Sequence, residues 1–382
     1  MKSKLYISAV ICFVFIFTTG CSTVKNEKNG NIKKIKTALY IGYGSLGGGV
    51  INSARILKYS PQVELTLIDD KDLKKTKLKD FDILVMPGGF SSGHMKSLGA
   101  EGVEILRNFI KNGGSYFGIC AGCHMTLNRP NRLGLFPYGY LNKHVGGKGD
   151  VYIDLPEKGA GLLGIEKGLY CVRYVTGPIM KKNAENWPHG KCEVIADYKS
   201  SISPKGRAGE NFFGTPAILY GNYGKGKVIA TSFHPESRID SHKIFCGCFY
   251  AVTGVKLTPQ FPRRQFHPLR VGYHFVNAQY KDQRAVINEV MELESHPELA
   301  VELGLDAEIL NRVDVVVLGD ARGLSWKDFI DAKRYDILID FIHRGGKVIA
   351  VGEIWKKIPP HKNVIYVNPG KDVIKSVMNF IK

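Results

Sequence analysis

The pentapeptide Gly118-Ile119-Cys120-Ala121-Gly122 constrains this chain more than any other feature. It follows an apolar β-like run, 116–119, and precedes a stretch of helical character. A Gly-x-nucleophile-x-Gly sequence at a strand-to-helix junction is a nucleophile elbow. The bend is tight and its neighbours crowd the backbone, so small residues flank it. The central side chain then projects from the top of a sheet. The N-terminus of the following helix favours negative charge there, and hence the thiolate, the reactive form of cysteine.

Around the elbow the chain reads as alternating strands and helices. Segments 37–41, 63–68, 83–86 and 116–119 are β-like, and 50–59 is helical in character. Segment 100–112 places Val103, Leu106 and Ile110 on one helical face and stops at Gly113-Gly114. Such alternation predicts a parallel sheet with helices on both faces. The middle, 131–223, is richer in glycine and less periodic, with short strands expected at 151–153, 169–172 and 217–220. A strand at 228–232 leads into Phe233-His234-Pro235-Glu236, and a helix at 241–252 closes the unit. Pro259, Pro262, Arg263, Arg264 and Pro268 mark a linker, 259–268.

After the linker the pattern restarts. Strands are expected at 269–272, 315–318 and 348–351, and helices at 282–293 and 335–343. Gly345-Gly346 then stands in the place of Gly113-Gly114, which sets Gly352 where Cys120 stands. The expected fold is α/β: a doubly wound, flavodoxin-like, mostly parallel sheet over 36–258, with a second, smaller α/β domain over 269–382. That second domain reads either as a degenerate copy lacking the nucleophile or as a separate α/β unit.

The first residues call for separate treatment. Lys2 and Lys4 precede an apolar run, 5–17, and then Thr18-Thr19-Gly20-Cys21. A membrane-spanning helix needs roughly 20 apolar residues, more than this run supplies. Small residues ending in Gly-Cys resemble a bacterial lipobox. The expectation is a signal peptide over 1–20, lipidation of Cys21, a flexible tether over 21–35, and an extracytoplasmic protein held to a membrane. An uncleaved anchor is the alternative.

The formal net charge of +18 raises the question of nucleic acid. The lysines are scattered and interleaved with aspartate, as in 71–80, and no aromatic–basic stripe appears. Nucleic-acid binding is therefore not expected, and a solvated face beside an anionic membrane accounts for the charge better. Beyond Cys21, six cysteines allow 15 disulfide pairings, and the sequence does not choose among them.

Two further motifs complement the elbow. His234-Pro235-Glu236 supplies a histidine with a carboxylate two residues on, the base and orienting group that a cysteine nucleophile needs. Pro87-Gly88-Gly89 closes an earlier strand, and the Gly89 N–H paired with that of Ala121 would form an oxyanion hole. In this order the motifs resemble the class I glutamine amidotransferase-like superfamily, most nearly the amidotransferase-like N-terminal domain of some biotin–protein ligases. That family carries segment 113–122 in nearly this form, and Tyr174-Val175-Thr176-Gly177-Pro178 resembles its Tyr-Asn-Gly-Gly-Pro stretch. The resemblance spans roughly 36–255. It implies a triad of Cys120, His234 and Glu236, with substrate contacts from Gly88, His124, Tyr174, Thr176 and Gly177.

The departures are informative. Glutamine-hydrolysing members carry Gln four residues after the cysteine, where this chain has His124. No Gly-Arg-Gly-Arg-type adenylate loop is present, so biotin ligation is not expected. The expected activity is cysteine-dependent amide hydrolysis or acyl transfer on an unidentified small molecule or peptide, with no cofactor and no metal. A non-catalytic cell-envelope binding protein and a thiol-redox protein using Cys120 and Cys123 are the alternatives. Gly42-Tyr43-Gly44-Ser45-Leu46-Gly47, with Asp69 or Asp70 downstream, also matches a dinucleotide fingerprint, but reads more simply as a glycine-rich βα turn.

Overall fold

A computed structural model describes residues 34–382 apart from 46, 76–77, 142–146, 186, 203–211, 264–266, 275–283, 320–329, 331, 369–372 and 382. The expected leader, Cys21 and most of the tether lie outside the described residues.

The chain forms β1 (Ile35–Tyr40), β2 (Val63–Ile68), β3 (Ile83–Met86), β4 (Ser115–Ile119), β5 (Tyr138–Tyr140) and β6 (Lys148–Leu155). Next come β7 (Gly168–Val175), β8 (Met180–Lys182), β9 (Cys192–Tyr198), β10 (Pro216–Tyr223) and β11 (Gly226–Thr231). Nine of these make one sheet in the order β2-β1-β3-β4-β11-β10-β9-β6-β7. The first five are parallel, and the last four extend the sheet in antiparallel fashion. Strand β3, Ile-Leu-Val-Met, is buried throughout, as expected of a parallel strand covered on both faces.

Helices α1 (Gly47–Lys58) and α6 (His242–Thr253) cover one face; α2 (Asp70–Lys75), α3 (Ser91–Lys111) and α4 (Ala121–Thr126) cover the other. The period-two rule of strands makes this arrangement visible. Leu39, Val85, Phe117 and Ile229 face α1 and α6, whereas Ala38, Leu84, Tyr116 and Val228 face α3 and α4. Phe117 meets Phe245 of α6 with ring centroids 5.1 Å apart. Burial of each such ring stabilises the sheet–helix contact by about 2–3 kcal/mol. Helix α5 (Glu157–Leu163) packs on α6.

A second sheet contains β12 (Leu269–His274), β13 (Leu299–Leu303), β14 (Val315–Leu318), β15 (Lys347–Val351) and β16 (Val364–Val367). All five are parallel in the order β13-β12-β14-β15-β16, the same order as the parallel part of the first sheet. Its described helices are α7 (Arg284–Ser295), α8 (Ala307–Leu310), α9 (Ala332–His343) and α10 (Val373–Ile381). Helix α7 packs on α1, and the apolar core is continuous across that contact. Arg55 of α1 pairs with Glu294 of α7, which is 1% exposed, through an Nε–Oε2 hydrogen bond of 2.6 Å. Arg284 pairs with Asp72, and the Tyr59 hydroxyl donates to the Met291 carbonyl at 3.4 Å.

The structure differs from the sequence reading in places. Helix α3 begins nine residues before the expected 100, because Gly99 takes a positive φ of 62° and joins two helical pieces into one element. Strand β9 was not expected; it pairs with β10 and β6. Among the described residues, no helix is long and apolar enough to cross a membrane.

Candidate active site

The sheet order brings the two motifs together. Strands β4 and β11 are parallel neighbours with Ile119 opposite Thr231, so the residues just after each strand emerge side by side. Cys120 follows β4 directly and caps α4 with φ 51° and ψ −101°, a conformation rare for a residue with a Cβ. Its N–H donates to Thr231 O at 2.8 Å, which ties the bend to β11. The flanking glycines are required by contact. A Cβ on Gly122 would lie 2.1 Å from the Met86 carbonyl oxygen, and one on Gly118 would lie 2.6 Å from that of Gly122.

His234 is fixed by its backbone, whose N–H donates to Arg173 O of β7 at 2.8 Å. Its Nδ1 lies 2.7 Å from Oε1 of Glu236, and the ring stands beside Cys120, whose thiol donates to Val175 O at 3.4 Å. Glu236 is wholly buried, and its Oε2 has no partner among the described residues. Burial alone would push His234 down. The nearby charges of Cys120 and Glu236, the latter hydrogen-bonded to the ring, outweigh it and hold the His234 pKa well above its ordinary value.

Gly88 and Gly89 end β3 beside this pair. A Cβ on Gly88 would stand 2.5 Å from Cε1 of His234 and 3.4 Å from Cβ of Cys120, so only glycine passes here undisturbed. Gly89 forms a bridge to Ser45, and Phe90 N–H donates to Gly44 O at 2.7 Å. The Ser45 hydroxyl in turn meets Nε2 of His94 at 3.2 Å. His94 is completely buried, edge-on to Tyr40, and burial lowers its pKa to about 3.

Above Cys120 lies a cavity of about 560 Å³. Gly88, Gly89, Cys120, Ala121 and His234 line its floor and sides, with His124, Thr176 and Gly177. Glu236 stays behind His234. Tyr174 does not reach the cavity, contrary to its expected substrate contact. It is wholly buried, its ring stacks on Phe212 at 5.0 Å, and its hydroxyl donates to Gly177 O at 2.8 Å. It therefore holds the Thr176–Gly177 turn, where Thr176 has a φ of 51°. Asn52 of α1, Ser91 and Ser92 of α3, Tyr140 of β5 and Ser237 also line the cavity and were not foreseen. No motif marks them, because they arrive from four separate segments.

Two competing readings meet physical obstacles. Cys123 is fully buried in the core on the α3 side, its sulfur 3.6 Å from that of Met180, and burial followed by the nearby Cys120 charge pushes its pKa up. It is placed as a packing residue. The 42–47 turn is engaged by Gly89 and His94, and the Asp69 carboxylate accepts the N–H groups of Lys71 and Asp72 at the start of α2. Neither is left as a dinucleotide cradle would require.

A parallel α/β sheet with a strained cysteine between β4 and α4, next to a histidine–glutamate pair after β11, defines a class: α/β proteins with a nucleophile elbow. Residues 39–130 match the family model described as "Biotin-protein ligase, N terminal". The chain is 30% identical over 180 residues to the pyridoxal 5'-phosphate synthase subunit PdxT of Koribacter versatilis, covering 45% of this chain and 78% of that one. It is 24% identical over 179 residues to the biotin–protein ligase of Schizosaccharomyces pombe, covering 40% of this chain and 25% of that one. Among solved structures, PurLQS from Thermotoga maritima aligns with a TM-score of 0.43 at 16% identity, covering 56% of this chain and 98% of that one. The chain belongs to the glutamine amidotransferase-like superfamily through its first sheet.

Proposed function

We propose that this chain is an exported, lipid-anchored hydrolase or acyl transferase that cleaves an amide in a small molecule or peptide, with Cys120 as nucleophile. The observation that carries the reading is Cys120 beside His234 on the lining of one cavity, with His234 hydrogen-bonded to the buried Glu236. The Cys120 thiolate attacks the amide carbon. The carbonyl oxygen becomes an oxyanion facing the N–H groups of Gly89 and Ala121, each such donor supplying roughly 3–4 kcal/mol in known cases. Collapse breaks the C–N bond, and the His234 imidazolium gives its proton to the departing amine. His234 then takes a proton from water or an acceptor amine, which releases the thioester. Glu236 stays charged and keeps the imidazole aligned. His124, in the place of glutamine, supports a substrate other than glutamine.

The test is alkylation of the purified chain by iodoacetamide near neutral pH, followed by peptide mass mapping. A single fast modification at Cys120 is expected, absent from Cys120→Ala while circular dichroism is unchanged. Equal fast labelling of the variant would remove the nucleophile from the reading.

A further inference from the structure

Two arginines behind the cavity's lining rings lack the acidic partners that several other arginines of this chain possess among the described residues. Arg55 pairs with Glu294, Arg173 and Arg238 share Asp150, Arg284 pairs with Asp72, and Arg312 joins Glu302 and Glu308. Among the described residues, no carboxylate pairs with Arg129 or Arg132, and no Asp or Glu lines the cavity. Each guanidinium instead touches a ring that does line it. Arg132 Nε donates to His124 Nδ1 at 3.2 Å, and the Arg129 guanidinium lies 3.8 Å from the Tyr140 ring centroid. The two rings pack against each other, with centroids 4.9 Å apart.

This arrangement is built, not incidental. Arg132 is half-buried, and its pKa is pushed down first by burial and further by the like charge of Arg129, with Tyr140 opposing. The backbone that carries it is clamped by Arg107, which donates to the carbonyls of Leu133 at 2.9 Å and Arg132 at 2.8 Å. A clamped loop holds two like charges near each other, and an incoming anion relieves that repulsion. With Nδ1 accepting from Arg132, the His124 ring carries its proton on Nε2 and is a donor there.

We propose that the His124–Tyr140 wall, with Arg132 and Arg129 behind it, selects anionic substrates: amides whose acyl or amine part bears a carboxylate or a phosphate. The inference rests on Cys120 being the nucleophile and adds the substrate class.

The test compares two alkylating agents of nearly equal size, iodoacetate and iodoacetamide, on the intact chain. The ratio of Cys120 alkylation rates is divided by the same ratio for a small free thiol. A normalised preference for iodoacetate of about tenfold is expected at low salt, shrinking in 0.5 M salt as screening predicts. Arg132→Gln should lower it at least about threefold, and Arg132→Lys less. Arg129→Gln, an exposed change, repeats the test if the first variant fails to fold. His234 is present in every variant, so its own charge cancels from the comparison. Failure of Cys120 to react with either agent would instead sink the proposed function. Fast reaction with both, at a ratio unmoved by the arginine changes, would overturn the substrate class and leave the nucleophile standing. Protection against iodoacetamide by succinamate assigns a carboxylate, and protection by phosphoserine assigns a phosphate. Protection by neither counts against the proposal.

Discussion

Acid should destabilise this protein through one buried residue in the first turn of α3. His94 of α3 is completely buried, and its pKa is about 3 in the fold against 6.5 in an open chain. Between those values the unfolded chain binds a proton that the folded chain does not. Stability therefore rises with pH across the window, and is lost as pH falls from 6.5 toward 3. Each pH unit is worth 1.36 kcal/mol, so the whole window amounts to ~5 kcal/mol from this side chain. That rivals the entire stability of a small domain, about 5–15 kcal/mol. His94→Phe keeps an aromatic ring against Tyr40 and removes the titration. It also removes the buried Nδ1 that lacks a partner among the described residues, a group that costs about 1–3 kcal/mol. Urea unfolding followed by circular dichroism at several pH values from 8 to 4 gives both stability curves. The difference between wild type and variant should change by ~1.4 kcal/mol per pH unit below about pH 6. Parallel curves would refute the buried neutral histidine, whatever their absolute height.

Two further outcomes are expected. Arg55→Met should destabilise the chain by ~3 kcal/mol in chemical denaturation, because it takes the paired guanidinium from the buried Glu294, and Arg55→Met with Glu294→Leu should recover most of that loss; equal cost in single and double variants would contradict the pairing. Palmitate incorporation in a bacterial host should disappear with Cys21→Ser, and continued labelling of that variant would overturn the lipid anchor.

The parallel sheet was legible because its strands are short apolar runs bounded by turn residues. Segments 63–68 and 83–86 were read to the residue, since Asp69 and Pro87 end them abruptly. The sequence could pair Cys120 with His234 chemically but not spatially. Their adjacency depends on β11 lying beside β4, a long-range register that no local pattern encodes. Strand β9 escaped notice because its neighbours, not its own periodicity, stabilise it. Helix α3 was read only from residue 100, since Ser91, Ser92 and Gly93 favour turns when judged locally. Tyr174 differs for a related reason: the resemblance marks the 174–178 stretch, but the side of the strand on which Tyr174 lies is set by its packing against Tyr198 and Phe212.

Helix α1 joins two parts of the molecule that the sequence separates by more than two hundred residues. Its first turns supply Gly48, Gly49 and Asn52 to the cavity, and Arg55 bonds Asn52 at 3.1 Å while gripping Glu294. A rigid helix is one means by which two distant parts of a fold are held in register. Excising 269–382 should therefore disturb one wall of the cavity and expose to water the Arg55 guanidinium and the apolar face of α1 that now meets α7. The smaller sheet is a buttress for the larger one's crest.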